Sequence, residues 1–122
     1  MSPEEIAQAR KVLPIVSVQN QYNIEDRKWE KTLVYCEKEG LGFMPWSPIG
    51  GGRGLKPENA LEKAARDRGA SVIQVALAWL LERSPVMLPI PGTSSIAHLE
   101  ENVAAEKLKL TPAEWKAIER ET

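Results

Sequence analysis

The segment SPIGGGRG, residues 47–54, combines four glycines with Ser47 and Arg53. Glycine has no side chain, so its backbone N–H groups can approach an anion closely. The hydroxyl group of Ser47 adds a hydrogen-bonding group, and Arg53 adds a positive charge. These residue types in one short stretch predict a loop that binds a phosphate group.

Two further polar segments, QNQYN at 19–23 and PGTSS at 91–95, each follow a short apolar run. In α/β folds, ligands bind at the carboxyl ends of the strands, so we expect the three polar segments to meet there. Thr93 and Ser94 come just before a predicted helix, whose free N–H groups and dipole favour phosphate. The third segment is therefore a second candidate phosphate site.

The remaining polar and aromatic groups suit the other parts of a dinucleotide. Asn20 and Gln21 can hydrogen-bond an amide, and Trp46 can stack on a flat ring. A ring at one end, with phosphates in the middle and at the other end, matches the three segments together. The pattern predicts a dinucleotide site.

Each of these signals also has a purely structural explanation. Residues 47–54 lack the Gly-Lys-Ser/Thr of a Walker loop, and Leu55 stands where Gly-x-Gly-x-x-Gly needs its last glycine, so a mobile loop is the alternative. Residues 93–95 would then be ordinary helix caps. Trp46 would belong to the core, and His98 would be a solvated helix residue.

Composition excludes several classes of protein. The 122 residues carry 16 Lys and Arg against 17 Asp and Glu, so the basic excess of nucleic-acid or membrane-surface binding is absent. One cysteine cannot form an intrachain disulfide, and one cysteine with one histidine cannot supply the usual ligands of a zinc site. The longest apolar run, residues 75–81, is too short to span a bilayer. We expect a cytoplasmic protein with no nucleic-acid or membrane partner.

Capping signals predict several helices. Ser2 with Glu5, Ser71 with Gln74 and Thr111 with Glu114 each form a capping box. A further helix is expected from about Asp26 to Glu39, ended by Gly40. Another follows Ser95, and its residues at 96, 99 and 103 are expected to face the core.

Three short apolar runs lie between these helices, at 14–18, 41–46 and 86–90. Strands that alternate with helices indicate βαβ units and a parallel sheet. We therefore predict one α/β domain over residues 1–122, with about three parallel strands and covering helices. Its sheet would have two unpaired edges. Either helices and loops cover these edges or the chain forms a homo-oligomer, for which we expect a dimer or a tetramer.

The segments VSVQNQYN, GFMPWSPIGGGRG, VIQVALAWLL and IPGTSSIAHLEENVAA resemble the carboxyl-terminal half of an aldo-keto reductase. This resemblance runs from about Ser2 to Glu121. It implies a (β/α) barrel of eight strands that binds NADPH, of which this chain would supply the last three strands as a partial TIM barrel. The resemblance implies that this chain is an NADP(H)-binding half-barrel, similar to the cofactor-binding part of these oxidoreductases.

The resemblance also implies a role for individual residues. Gln21 would bind the nicotinamide carboxamide, Trp46 would stack on the nicotinamide, and Arg53 would close over the pyrophosphate. The expected cofactor-binding residues are Gln21, Trp46, Ser47, Pro48, Ile49, Gly50, Arg53, Gly92, Thr93, Ser94, His98, Glu101 and Asn102. Many relatives have lysine at Gly92 and arginine at His98, so NAD(H) is the alternative to NADP(H).

The catalytic Asp, Tyr, Lys and His of the family belong to segments that precede this region. Tyr22 is the phenol nearest to Gln21, but no lysine or histidine adjoins it to tune its pKa. The sequence is thus consistent with three hypotheses about function. The chain is a cofactor-binding half-barrel without carbonyl reduction of its own, an enzyme half completed by a complementary half-barrel, or a non-catalytic interaction module.

Overall fold

A computed structural model describes residues 1–50 and 59–122, and Arg53 lies outside the described residues. The elements are six helices and two strands within these ranges. In chain order they are α1 (Pro3–Arg10), β1 (Ser17–Gln21), α2 (Glu30–Glu39), β2 (Gly42–Trp46), α3 (Ala60–Arg68), α4 (Val72–Arg83), α5 (Ile96–Ala104) and α6 (Pro112–Glu121), with a short 3₁₀ turn (Ala105–Lys107) after α5. The α/β class and the partial barrel are confirmed.

The two strands run parallel, as predicted, and their register aligns Ser17 with Gly42 and Gln21 with Trp46. Side chains alternate between the two faces of the sheet. Val18 and Phe43 lie on the covered face, where they join one core with residues of the helices. The opposite face of the sheet is largely open, and the side chains of Gln21 and Trp46 at the strand ends lie on it.

The predicted third strand, 86–90, forms only an isolated bridge between Phe43 and Met87. Phe43 donates its N–H to the carbonyl of Val86 at 2.8 Å, and Leu88 donates to the carbonyl of Phe43 at 2.8 Å. The next ladder bond would need a donor at position 45, and Pro45 has no N–H. The segment therefore lies beside β2, as a third strand would, but does not extend the ladder.

The predicted helix boundaries are mostly confirmed. The side chains of Ser2, Ser71 and Thr111 cap α1, α4 and α6, each within a complete capping box. Gly40 ends α2 with a φ of 67°, a conformation that favours glycine.

Helix α2 begins at Glu30, four residues later than predicted. The side chain of Asn23 accepts the N–H groups of Glu25 and Asp26, both at 2.8 Å. These bonds hold the backbone in a turn and compete with helix formation. The side chain of Asp26 accepts the N–H of Lys28 at 3.0 Å, which continues the irregular segment.

The prediction that α5 buries an apolar face is wrong. Ile96, Leu99 and Val103 are 78%, 52% and 65% exposed. Leu99 and Val103 border an open, mostly apolar groove of about 600 Å³ between α4, α5 and the segment 86–91. These residues do share one side of a helix, but no element within the described ranges covers that side of α5.

Candidate functional site

Gln21 and Trp46 are neighbours at the carboxyl ends of the two strands. They are partners in the parallel register, and both side chains belong to the open face of the sheet. Trp46 is 48% exposed, so it is not the core residue of the alternative explanation. An exposed indole beside a primary amide can stack on a flat ring and hydrogen-bond an amide substituent.

Sequence reasoning missed two residues of the same open face. Gln19 and Met44 are register partners one layer below Gln21 and Trp46. Each lies two residues before a predicted site residue on its strand, so the two-residue period of a strand could have identified them.

A β-turn, Ser47–Gly50, follows β2 directly. Gly50 donates its N–H to the carbonyl of Ser47 at 3.1 Å, and Pro48 occupies the second position, where its fixed φ suits the turn. Ser47 has a φ of 53°, a left-handed conformation that is uncommon outside glycine. Pro48 is buried, whereas the Ser47 side chain faces solvent.

The buried side chain of Asn23 connects this turn with the segment after β1. Its Nδ2 donates to the carbonyl of Ser47 at 2.9 Å, while its Oδ1 accepts the N–H groups of Glu25 and Asp26. The structure thus brings together the first two polar segments that the sequence singled out.

Gly50 lies close to Asn23 and Glu25. A Cβ at position 50 would be 3.1 Å from the Glu25 carboxylate and 3.4 Å from the Asn23 side chain, and the φ of Gly50 is 70°. The backbone conformation therefore favours glycine, and a larger residue would also crowd these two side chains. One carboxyl oxygen of Glu25 therefore adjoins the turn, and the other is buried without a hydrogen-bond partner among the described residues.

The third polar segment forms the amino-terminal cap of α5. Thr93 accepts the N–H of Ser95 at 3.1 Å, and Ser95 accepts the N–H of His98 at 3.4 Å. Gly92, Thr93 and Ser94 are exposed and border an open pocket of about 390 Å³. No hydrogen bond or ion pair between described residues joins this segment to the turn at 47–50.

The other expected adenosine-binding residues lie on α5. His98, Glu101 and Asn102 share one side of the helix because they are spaced three and four residues apart. His98 and Glu101 are exposed, and Asn102 is half-buried at the edge of the apolar groove. The carbonyl of Glu101 accepts a bond from Gln74 at 3.0 Å, which ties α5 to α4.

Tyr22 is not available at the open face. Its ring is fully buried, edge-on to Phe43 with a centroid separation of 5.7 Å, and its hydroxyl donates to Glu30. Burial and the Glu30 carboxylate both raise the pKa of this phenol. Arg83 pairs with Glu30 and with Glu37, so the hydroxyl belongs to an ionic network under the sheet.

The described ranges contain no cluster of three or more histidine, cysteine, aspartate or glutamate residues that could hold a metal ion. No helix in the same ranges has the length and apolar character needed to cross a membrane.

Known proteins with similar sequences are oxidoreductases. An uncharacterized oxidoreductase of Schizosaccharomyces pombe is 46% identical over 118 residues, which cover 97% of this chain and 39% of that protein. Pyridoxine 4-dehydrogenase of Escherichia coli is 48% identical over 111 residues, which cover 91% of this chain and 38% of that enzyme. The chain thus spans about two fifths of the length of these relatives.

Solved structures show the same fold. An aldo-keto reductase from Klebsiella pneumoniae in complex with NADPH matches with a TM-score of 0.86 at 29% identity, over 98% of this chain and 45% of that one. The thermostable aldo-keto reductase Tm1743 matches with a TM-score of 0.82 at 36% identity, over 97% of this chain and 44% of that one. The model of the aldo/keto reductase family matches residues 1–121. The chain therefore belongs to the aldo/keto reductase family.

Proposed function

We propose that this chain binds NADP(H), with NAD(H) as the alternative, as the cofactor-binding part of an aldo-keto reductase barrel. The observation that carries the proposal is the pairing of Gln21 and Trp46 at adjacent strand ends on the open face of the sheet. The relative from Klebsiella pneumoniae, solved with NADPH, supports the choice of cofactor.

The residues at the strand ends fit a nicotinamide group. Trp46 has an exposed ring face for stacking, and the amide of Gln21 can both donate to and accept from a carboxamide. A bound nicotinamide would supply a hydride. This chain's own contribution there is to orient the ring, and no described residue is assigned a catalytic role.

The turn at 47–50 is proposed to bind the pyrophosphate. Its exposed Ser47 hydroxyl can donate a hydrogen bond to a phosphate oxygen. The Glu25 carboxylate opposes a phosphate here, since like charges repel in a partly buried site. A basic group must therefore balance it when an anion binds, and Arg53 is the proposed group.

The adenosine end is proposed to lie along α5. Gly92, Thr93 and Ser94 would bind its 2′-phosphate with His98, and the remaining side of the helix, Glu101 and Asn102, would contact adenine. Histidine lacks the permanent charge and the bidentate geometry of arginine, so we expect only a modest preference for NADPH over NADH.

Calorimetric titration of the 122-residue chain with NADPH, NADH and 2′,5′-ADP tests this proposal. We expect saturable binding of NADPH that Trp46→Ala weakens by about fivefold or more, because stacking on one aromatic ring contributes on the order of 1 kcal/mol or more. Val34→Ala, a change on the exposed side of α2, is the matched control and should leave binding unchanged. Absence of saturable binding at millimolar ligand by the folded chain would overturn the proposal.

A second candidate function is half of an oxidoreductase, completed by a complementary half-barrel. The exposed apolar residues of α5 favour it, since an uncovered apolar helix face is typical of a surface that packs against a partner. The third candidate, a non-catalytic interaction module, would be left if no cofactor binds.

A cytoplasmic location is part of the proposal, because reducing conditions there keep a thiol such as that of Cys36 free.

Addition of the complementary half tests this second candidate. The part of pyridoxine 4-dehydrogenase that lies outside the matched region would be co-expressed with this chain. We expect NADPH-dependent carbonyl reduction by the pair and by neither part alone, with loss of activity in the Trp46→Ala chain. A pair that co-purifies without reducing any carbonyl would exclude catalytic complementation.

A further inference from the structure

We propose that Asn23 is a positioning residue, which holds the Ser47–Gly50 turn in the conformation needed to bind pyrophosphate. This inference deepens the proposed function and rests on it for the identity of the ligand. The claim about the turn itself rests on the contacts of Asn23, which can be tested without any ligand.

The conformation of Ser47 has to be maintained by its surroundings. A non-glycine residue at a φ of 53° is disfavoured, and a following proline further restricts the residue before it to extended conformations. Ser47 precedes Pro48 and still adopts the left-handed region. Some contact must therefore stabilise the turn against relaxing to an extended chain.

Asn23 provides that contact. Its Nδ2 donates to the Ser47 carbonyl at 2.9 Å, the same oxygen that accepts the N–H of Gly50 at 3.1 Å. One carbonyl thus closes the turn and anchors it to the segment after β1. The side chain is 3% exposed, so this hydrogen bond is shielded from competing water.

Asn23 is itself held in place from the other side. Its Oδ1 accepts the N–H groups of Glu25 and Asp26, both at 2.8 Å, and its own N–H donates to the carbonyl of Asp26 at 3.0 Å. Asparagine is suited to this position because its amide donates and accepts through different atoms. Neither aspartate nor alanine can reproduce both sets of bonds.

Gly50 lies near the same side chain. A Cβ there would be 3.4 Å from the Asn23 side chain and 3.1 Å from Glu25, so a side chain at position 50 would press on Asn23. The Ser47 carbonyl holds the far end of the turn through the Gly50 N–H and is itself held by Asn23. These two hydrogen bonds to one oxygen pre-organise the four-residue segment for a ligand.

The test begins with Asn23→Asp. An aspartate keeps the acceptor for Glu25 and Asp26 but replaces the donor to Ser47 with an oxygen, which repels the carbonyl. We expect the N–H of Gly50 to exchange with solvent at least about tenfold faster, measured by NMR hydrogen exchange. Unchanged exchange at Gly50 in a folded Asn23→Asp protein would overturn the positioning role, whether or not any ligand binds.

The ligand arm of the test compares NADPH with adenosine 2′-phosphate, which lacks the pyrophosphate. Asn23→Asp should weaken NADPH binding by about tenfold or more and leave adenosine 2′-phosphate within about twofold. A general loss of structure would weaken both ligands. Equal weakening of both, or of neither, would refute the inference, whereas failure of the wild-type chain to bind NADPH would refute only the proposed function.

Two glycine variants provide a second, independent probe. Gly50→Ala and Gly69→Ala both place alanine at a positive φ, 70° and 60° respectively, but a Cβ at position 69 meets nothing within 4 Å. Both variants should lose similar stability from the backbone conformation. Only Gly50→Ala should reproduce the ligand pattern of Asn23→Asp, and the same pattern in Gly69→Ala would count against the proposal.

Discussion

At the scale of single residues, the buried polar side chains around β1 have defined partners that the sequence did not reveal. Tyr22 illustrates this, since its hydroxyl enters a network with Glu30, Arg83 and Glu37 that connects β1, α2 and α4. A hydrogen bond from a buried neutral group to a charged one contributes more than one between neutral groups. The phenol near the candidate site is therefore a structural group.

Replacement of Tyr22 by phenylalanine should destabilise the chain by about 2 kcal/mol, because it removes a buried hydrogen bond to a carboxylate while keeping the ring. Urea denaturation measures the change. Tyr35→Phe is the matched control, since Tyr35 only accepts a 3.2 Å bond from Arg10 near the surface, and should cost less than about 0.5 kcal/mol. Equal losses in the two variants would show that the network contributes nothing specific.

Glu114 predicts a pH dependence. Arg68 and the backbone N–H of Thr111 hold the pKa of Glu114 well below its ordinary value of 4.5, at about 2. A carboxyl group whose pKa is lower in the folded state stabilises the fold fully above its unfolded pKa and loses that effect as the pH falls to its folded pKa. The contribution of Glu114 should therefore disappear between about pH 4.5 and pH 2.

The comparison of wild type with Glu114→Gln isolates this contribution. At pH 7 the variant should be less stable by up to about 1 kcal/mol, since the pair with Arg68 is partly exposed and screened by solvent. That difference should shrink toward zero near pH 2 in urea denaturation series. Glu100→Gln, on exposed α5, serves as the control, and a difference that does not vary with pH would contradict the assignment.

At the scale of elements, α5 differs from the other long helices. It has an apolar face but buries none of its side chains, whereas α6 buries Ile118 and stacks Trp115 on Trp79 with ring centroids 5.5 Å apart. An apolar face contributes to stability only in proportion to the area that it removes from water. Helix α5 should therefore be among the least stable elements of the described chain.

Truncation of one apolar side chain on each helix tests this difference. Val103→Ala on α5 should change the free energy of unfolding by less than about 0.5 kcal/mol, because Val103 is 65% exposed. Ile118→Ala on α6 should cost about 3 kcal/mol, because Ile118 is 1% exposed and its truncation leaves a cavity. A large loss in Val103→Ala would mean that its apolar face is covered in solution.

At the scale of the whole molecule, cofactor binding and folding are linked if the proposed function is right. A ligand that binds only the folded chain stabilises it by about 2.7 kcal/mol at a free concentration of 100 times its Kd. We expect NADPH to raise the unfolding temperature of the wild-type chain and to raise that of Trp46→Ala much less. An equal rise in both proteins would place the cofactor away from Trp46.

The predicted homo-oligomer and the complementary half-barrel partner stay predictions at this scale. Both predictions rest on uncovered surface. The two-stranded sheet has an edge strand whose backbone groups can pair with another chain, and α5 has exposed apolar side chains.

Much of the local structure followed from the sequence itself. The capping boxes at Ser2, Ser71 and Thr111 and the glycine at position 40 set helix ends, because these signals act through hydrogen bonds and dihedral angles within a few residues. The alternation of strands with helices gave the α/β class, and the quoted motifs gave the family. The expected adenosine-end contacts of Gly92 and Glu101 remain predictions that no contact in the structure tests.

Only the tertiary structure decided which groups meet across long stretches of sequence. It placed the Asn23 side chain against Ser47 and the Tyr22 hydroxyl in an ionic network. It also limited the pairing of the segment 86–90 with β2 to one bridge and left the apolar face of α5 exposed. Each of these outcomes depends on whether a residue distant along the chain lies close by. Local patterns determine what an element can bury or bond, whereas packing determines whether a partner is there.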